Sequence, residues 1–262
     1  MLILAVETAT EAAGVALVDD GGLLAVTVTA RRRRHAETVA PSVAFVCARG
    51  GVALTDVTAL AVDVGPGLFT GLRVGIATVK ALALALDVPV VTATSLEILA
   101  AAAGAAGAAA GVADSGPVDV DGGGRLVVPV VDARRGEVFS AVYETEGTVA
   151  HQVGDDAVGA PEALVDALRA LGRRCLVVGD GALRYRALFA AVPDLVVATD
   201  TLAHPPVSVL GAIAGPRAAA GAAIAGDDVM PRYLRDADAR IHWEQRAERP
   251  SAPSAPRVDG AA

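Results

Sequence analysis

Apolar and polar positions along the chain set out short strands alternating with helices. Residues 2–6, 14–18 and 23–29 are three β runs, the last two joined by the turn residues Asp19-Asp20-Gly21-Gly22, and together they predict an antiparallel meander. A helix is expected from about Glu37 or Thr38 to Gly50-Gly51, which suit a C-terminal cap. Val39, Val43 and Val46 mark one of its faces, and Pro41 is tolerated by lying in or near the first turn. A strand over 58–64, a glycine-rich turn, a long helix to about Leu86 and a strand over 88–92 follow. Strand–helix–strand alternation after a meander predicts a mixed sheet with helices packed on it.

Residues 101–113 are nearly all Ala and Gly and read as the end of a helix, while 114–124 read as a flexible Asp/Gly/Pro connection. The pattern then restarts. Strands are predicted over 126–131 and 137–143 with a turn at 132–136, then a helix over 161–171 with proline first, a strand over 175–178 ending in Gly179-Asp180-Gly181, a further helix, and a strand over 195–197. Residues 206–225 are helical in composition, with Pro216 expected to kink or split them, and the polar, proline-bearing segment from Ala237 reads as a disordered tail. The expected class is α/β: residues 1–100 with 202–235 form one domain, 101–201 a second, smaller α/β domain, and 236–262 a tail.

Composition narrows the picture. The 262 residues are 53% hydrophobic but only 3% aromatic, so the core is built from small and branched aliphatics and the chain has ample apolar surface to fold. The uncharged stretch 98–113 is too short and too rich in Ala and Gly to span a membrane, and the start meets Glu7 at once, reading as a first strand and not as a signal peptide. A cytoplasmic protein without a membrane partner is expected. Cys47 and Cys175 read as free, buried thiols. A net charge of −8 speaks against nucleic-acid binding by this chain alone, while leaving room for a site shared with a basic partner.

The most informative segment is Asp63-Val64-Gly65-Pro66-Gly67-Leu68-Phe69-Thr70-Gly71-Leu72-Arg73-Val74-Gly75. The glycines suit a phosphate cradle at a helix N-terminus, or a tight turn with close helix-to-strand packing. No Gly-Lys-Ser/Thr is present, so this is not a P-loop. In the following helix Leu72, Ile76, Val79, Ala83 and Leu86 share one face; Val74, Ala77, Ala81 and Ala85 share the opposite one, with Arg73, Lys80 and Asp87 between them. The bulky face suits the chain's own sheet. The small-residue face suits either a partner helix or the chain's own C-terminal helix. His35 reads as a capping or packing residue before it reads as a ligand. The run 31–34 of arginines suits phosphates, an acidic partner, or solvent. Asp132, Arg134, Arg135 and Glu137 suit either a ligand-facing cleft edge or a structural ion-pair network.

Leu4-Ala5-Val6-Glu7-Thr8-Ala9-Thr10, His35-Ala36-Glu37-Thr38, the glycine run 65–75, Asp132-Ala133-Arg134-Arg135-Gly136-Glu137-Val138-Phe139 and Pro231-Arg232-Tyr233-Leu234-Arg235 resemble, in this order, the bacterial TsaB (YeaZ) family over about residues 1–235. The resemblance implies an actin-like/Hsp70-like/sugar-kinase fold with two βββαβα-type domains. It implies an accessory, non-catalytic role in making threonylcarbamoyladenosine at position 37 of tRNAs reading codons that begin with A. It further implies pairing with the catalytic homologue TsaD through the two N-terminal helices (37–50 and 71–86), docking of the ATPase TsaE on that pair, tRNA reached through the complex, and homodimerisation of the chain, when alone, through the same helix surface. Val39, Val43, Leu72, Arg73, Val74, Ala77, Ala81 and Ala85 are the expected interface. The His-x-x-x-His metal pair of TsaD-like proteins aligns with Ser95 and Leu99, so no such metal site is expected here. Glu7, Thr8, Gly65, Gly67, Asp132 and Arg134 are left as a degenerate nucleotide cleft, with ATP or ADP and Mg²⁺ expected only at the complex junction through partners. A small-molecule kinase would need a second strand-end acid besides Glu7, and none is evident. A metallopeptidase would need a histidine motif that His35, His151, His204 and His242 do not form.

Overall fold

The computed structural model describes residues 1–30, 35–110 and 125–235; the expectations for the arginine run 31–34, the connection 114–124 and the tail 236–262 fall outside the described residues. The first sheet holds β1 (Ile3–Glu7), β2 (Ala13–Asp19), β3 (Gly22–Thr29), β4 (Ala59–Asp63) and β5 (Val90–Ala93) in the order β3-β2-β1-β4-β5. Strand β1 runs antiparallel to β2, with Leu4 opposite Leu17, and parallel to β4, with Leu4 beside Leu60. Parallel neighbours need crossovers, supplied by α1 (His35–Gly50) between β3 and β4 and α2 (Phe69–Leu86) between β4 and β5.

Alternation along β1 sorts the two faces. Leu4 and Val6 point to the side covered by α1 and α2, where they meet Val39, Val43, Val46, Cys47, Ile76, Val79 and Ala83. Ile3 and Ala5 point to the other side, which is covered by α3 (Ser95–Ala110) and α7 (Val207–Ala219) through Ile98, Leu210 and Ala214. The β1 and β4 strands are buried on both faces, which is why they read as unbroken aliphatic runs.

The second sheet repeats the order. It holds β6 (Arg125–Arg134), β7 (Glu137–Ser140), β10 (Ala157–Gly159), β11 (Cys175–Val178) and β12 (Leu195–Val197) as β10-β7-β6-β11-β12. Helix α4 (Pro161–Leu171) precedes β11, and α5 (Asp180–Arg184) with α6 (Arg186–Ala190) precedes β12. Both sheets thus read third-second-first-fourth-fifth, with the hairpin β8 (Tyr143–Glu146) and β9 (Val149–Gln152) inserted in the second. This is the actin-like/Hsp70-like/sugar-kinase fold, α/β with mixed sheets flanked by helices.

Three local expectations change. The strand expected over 137–143 breaks at Ala141-Val142 into β7 and β8, which pair with different stretches of β6. The polar β8–β9 hairpin, turning at left-handed Gly147 (φ 57°), carries too few apolar residues to show in the hydrophobic pattern. Helix α1 begins at His35, which puts Pro41 in the second turn, on the exposed side where water can satisfy the carbonyl it leaves unpaired. Helix α7 ends at Ala219 and runs through Pro216, which lies in its last turn and so costs one backbone bond without splitting the helix. Cys47 and Cys175 are free and buried, as expected.

Candidate functional site

The glycine-rich turn is built for close packing. Leu68 N–H donates to the Ala9 carbonyl (2.6 Å), and Thr8 Oγ1 donates to the Gly71 carbonyl (2.8 Å). A Cβ on Gly67 would overlap the Ala9 oxygen, one on Gly71 the Thr8 oxygen, and one on Gly75 the Thr8 hydroxyl. The first turn of α2 therefore lies directly on the β1–β2 loop, and the Ala9 carbonyl takes the Leu68 N–H at its start. Thr8 and Gly67 serve this close approach of turn and loop, and Gly65 takes a left-handed backbone (φ 97°), as the tight-turn alternative requires.

Two acids that the sequence reading missed, Asp63 and Asp180, join the expected Glu7 and Asp132 near the C-terminal ends of the central strands, and Asp63 is the second strand-end acid that the sequence pattern did not make evident. Glu7 ends β1 and Asp63 ends β4; both are buried. Asp180, which opens α5 just after β11, and Asp132, on β6, approach from the second sheet. Burial, then the neighbouring Asp63, pushes the Glu7 carboxyl well above its ordinary range. Burial likewise pushes Asp63 up to about 7, against the hydrogen bonds that Gly65 N–H (2.7 Å) and Ser95 Oγ (2.8 Å) supply. Burial raises Asp180, whose Oδ1 accepts from Asp132 N–H at 2.9 Å. The signal for these acids was their position at strand ends. Each spends hydrogen-bonding capacity on the protein, and among the described residues no group of three His, Cys, Asp or Glu side chains is placed to hold a metal ion.

Asp132 and Arg134 form an ion-pair network. Arg134 bonds Asp132 (2.9 Å) and reaches across to Glu11 in the β1–β2 loop, while Arg184 also approaches Asp132 (3.5 Å) and Arg235 pairs with Glu137 (2.6 Å). Asp132, Arg134 and Arg235 of this network line a cavity of about 520 Å³ between the two sheets, together with Gly67, Phe69, Phe139 and Tyr233. Of the six expected cleft residues, Gly67, Asp132 and Arg134 therefore share this cavity; Glu7 lines a different one, and Thr8 and Gly65 line neither. At its rim Arg73 stacks on the Phe69 ring (3.7 Å to the centroid), which in turn faces Tyr233 (5.3 Å). His35 packs: its Nε2 lies 2.9 Å from the Thr10 carbonyl.

The expected interface splits. Val39, Val43 and Leu72 are buried against the sheet and cannot meet a partner, because they sit on the bulky faces of their helices. Val74 is half-buried against the same core. Arg73, Ala77, Ala81 and Ala85 are exposed, joined by Leu84, which is 83% exposed. On α1 the outward stripe is Ala36, Ala40, Ala44 and Ala48, flanked by exposed Phe45. A four-residue spacing keeps each stripe on one face. Helix α2 is also long and apolar enough to cross a membrane, but the core helix of a soluble protein passes the same test, and here one face is spent on the sheet.

A family model described as TsaD, tRNA N6-adenosine threonylcarbamoyltransferase, matches residues 23–243. The chain is similar to the tRNA threonylcarbamoyladenosine biosynthesis protein TsaB of Escherichia coli, 32% identical over 256 residues that cover 94% of this chain and 98% of that one. It is 27% identical to the Bacillus subtilis protein of the same name, over 93% and 98% of the two chains. Among solved structures it is similar to YeaZ from Pseudomonas aeruginosa, with a TM-score of 0.74 and 30% identity over 89% of this chain and 99% of that one.

Proposed function

The chain belongs to the TsaB (YeaZ) family and takes part in tRNA threonylcarbamoyladenosine biosynthesis, and from that premise we propose that it is the non-catalytic scaffold of the modifying assembly. In this reading it pairs with TsaD through the outward stripes of α1 and α2, and the pair offers a docking surface to TsaE. The tRNA reaches the chain only through the complex, ATP or ADP with Mg²⁺ enters at the complex junction through the partners, and the assembly works in the cytoplasm.

The observation that supports this most is the pair of exposed stripes. Ala40, Ala44 and Ala48 beside Ala77, Ala81 and Ala85 leave a surface where partner helices can approach closely, and Leu84 and Phe45 supply apolar anchors. The acids near Glu7 bond to the chain itself, which favours a structural role for them over nucleotide chemistry. The test is co-purification with TsaD. Ala81→Arg, at an exposed position, abolishes pairing while leaving the thermal midpoint of the isolated chain unchanged; pairing at wild-type strength would overturn the assigned surface.

A further inference from the structure

The cavity between the two sheets reverses the charge of the chain. The chain carries a net charge of −8, yet Arg134, Arg135, Arg232 and Arg235 line this cavity, and Asp132 is the one carboxylate among its described lining residues. Three of these arginines hold carboxylates of the chain itself: Arg134 holds Asp132 (2.9 Å), Arg232 holds Asp156 (2.7 Å) and Arg235 holds Glu137 (2.6 Å). The turn between β6 and β7 keeps Arg134 and Arg135 in the left-handed region (φ 64° and 56°), ahead of Gly136 at 84°. Tight hairpin turns with that backbone are ordinarily filled by Asn, Asp or Gly. Two arginines take it here at a conformational cost, and Arg135 is presented, exposed, at the cavity edge. Phe139 lines the interior, while Phe69 and Tyr233 at the rim are 42% and 43% exposed. A second cavity of about 760 Å³ adjoins the first. Leu68, Phe69 and Arg134 line both, and the second reaches His35 and Ala36 at the start of α1 and Val74 on α2. The two form one groove, running from the helix face to the arginines.

We propose that this groove binds an acidic, extended segment of a partner protein, with its carboxylates on the arginines and an aromatic or aliphatic side chain against Phe69, Tyr233 and Phe139. Three observations select that occupant. Guanidinium forks match carboxylates in shape and charge, and the resident pairs already show carboxylates seated on three of the four arginines. The aromatic lining suits an apolar side chain next to those carboxylates. A phosphate is the poorer match: Glu11, Asp132 and Glu137 stand among the arginines and would repel a second negative charge on one group, and the charge of −8 repels a nucleic-acid strand as a whole. The groove opens beside α1 and α2, so a protein seated on their outward stripes can extend a segment into it. The approach rests on the helix face assigned above; the chemistry of the groove stands apart from it.

The experiment is titration calorimetry on the full chain, with a blocked peptide of glutamates around a central phenylalanine as the probe. The wild type binds this peptide and does not bind the same peptide with glutamine in place of each glutamate. Arg135→Gln weakens binding by at least about tenfold, the loss expected of one charge-assisted hydrogen bond, with the thermal midpoint unchanged because the side chain is exposed. Arg169→Gln makes the same change of charge on the exposed face of α4 and keeps wild-type affinity. Tyr233→Ala, at the rim, weakens binding through the apolar half of the site. No binding of the acidic peptide by the wild type, retained affinity in Arg135→Gln or Tyr233→Ala, or an equal loss in Arg169→Gln overturns the proposal. Tighter binding of AMP or of a short single-stranded RNA than of the peptide overturns it too. The helix-face reading fails separately: Ala81→Arg keeps the peptide while losing TsaD. A wild-type chain that pairs with TsaD but ignores the peptide overturns this proposal alone, and one that binds the peptide but not TsaD overturns the helix face alone.

Discussion

Replacing Gly71 with alanine tests whether α2 is seated on the β1–β2 loop. An added Cβ would overlap the Thr8 carbonyl oxygen and lie 3.3 Å from its carbon, so the backbone must move. Inserting one methyl group into a site that cannot give costs about 1–3 kcal/mol. Moving the turn also loosens the bond from Thr8 Oγ1 to the Gly71 carbonyl, worth about 1 kcal/mol. The exchange of glycine for alanine in a helix returns up to about 1 kcal/mol. The net expectation is a loss of about 1–3 kcal/mol, read as a lower midpoint in urea with an unchanged slope. Gly215→Ala is the control. It lies within α7, and its Cβ would meet only Ile3 Cδ1 at an ordinary 3.8 Å, so the helix gain is uncompensated and stability rises by about 0.5–1 kcal/mol. Equal effects at the two positions, or a neutral Gly71→Ala, would refute the claim that close packing explains the glycine run.

Further outcomes follow from the same contacts. Asp63 is ordinarily a carboxylate near 3.8 but is held at about 7, so the native state binds the extra proton and stability falls as pH rises between those values. Asp63→Asn keeps partners for Gly65 and Ser95 and removes that loss; unfolding free energy measured at pH 5 and pH 8 should shift in favour of the variant by roughly 1–4 kcal/mol at the higher pH, and parallel pH profiles would contradict the burial argument. Leu72→Ala, at a fully buried position, costs about 2–5 kcal/mol by denaturation, and a cost below about 1 would show the position to be exposed. Burial pushes the Cys47 thiol up and Cys175 up to about 11, so a thiol reagent modifies both only on unfolding; rapid labelling of the native chain would disagree.

Much of the fold was legible because its strands are aliphatic and its turns are marked by Gly, Asp and Pro. The strands β11 and β12 and the helix α4 lie where the pattern places them. The β8–β9 hairpin escaped because alternating polar residues on a half-exposed ribbon leave no periodic apolar signal. The inward and outward faces of α2 were readable at 100° per residue, yet Leu72 was grouped with the interface although it belongs with Ile76 and Val79. On α1 the same error attached Val39 and Val43 to the partner side, when the alanines four residues apart form the outer stripe. Asp63 and Asp180 were hidden for a different reason. Both are distant in sequence from Glu7; the parallel pairing of β1 with β4 brings Asp63 to it within the first sheet, and Asp180 comes from the second.

The central claim is a scaffold that is required for the modification and cannot perform it alone. The direct measurement is the threonylcarbamoyladenosine content of tRNA after incubation with TsaD, TsaE and the adenylate-forming enzyme, with and without this chain. The account predicts modified nucleoside only when the chain is present with its partners, and its loss with Ala81→Arg. Modified nucleoside formed by the chain with the adenylate alone, or formed equally well without the chain, would contradict it.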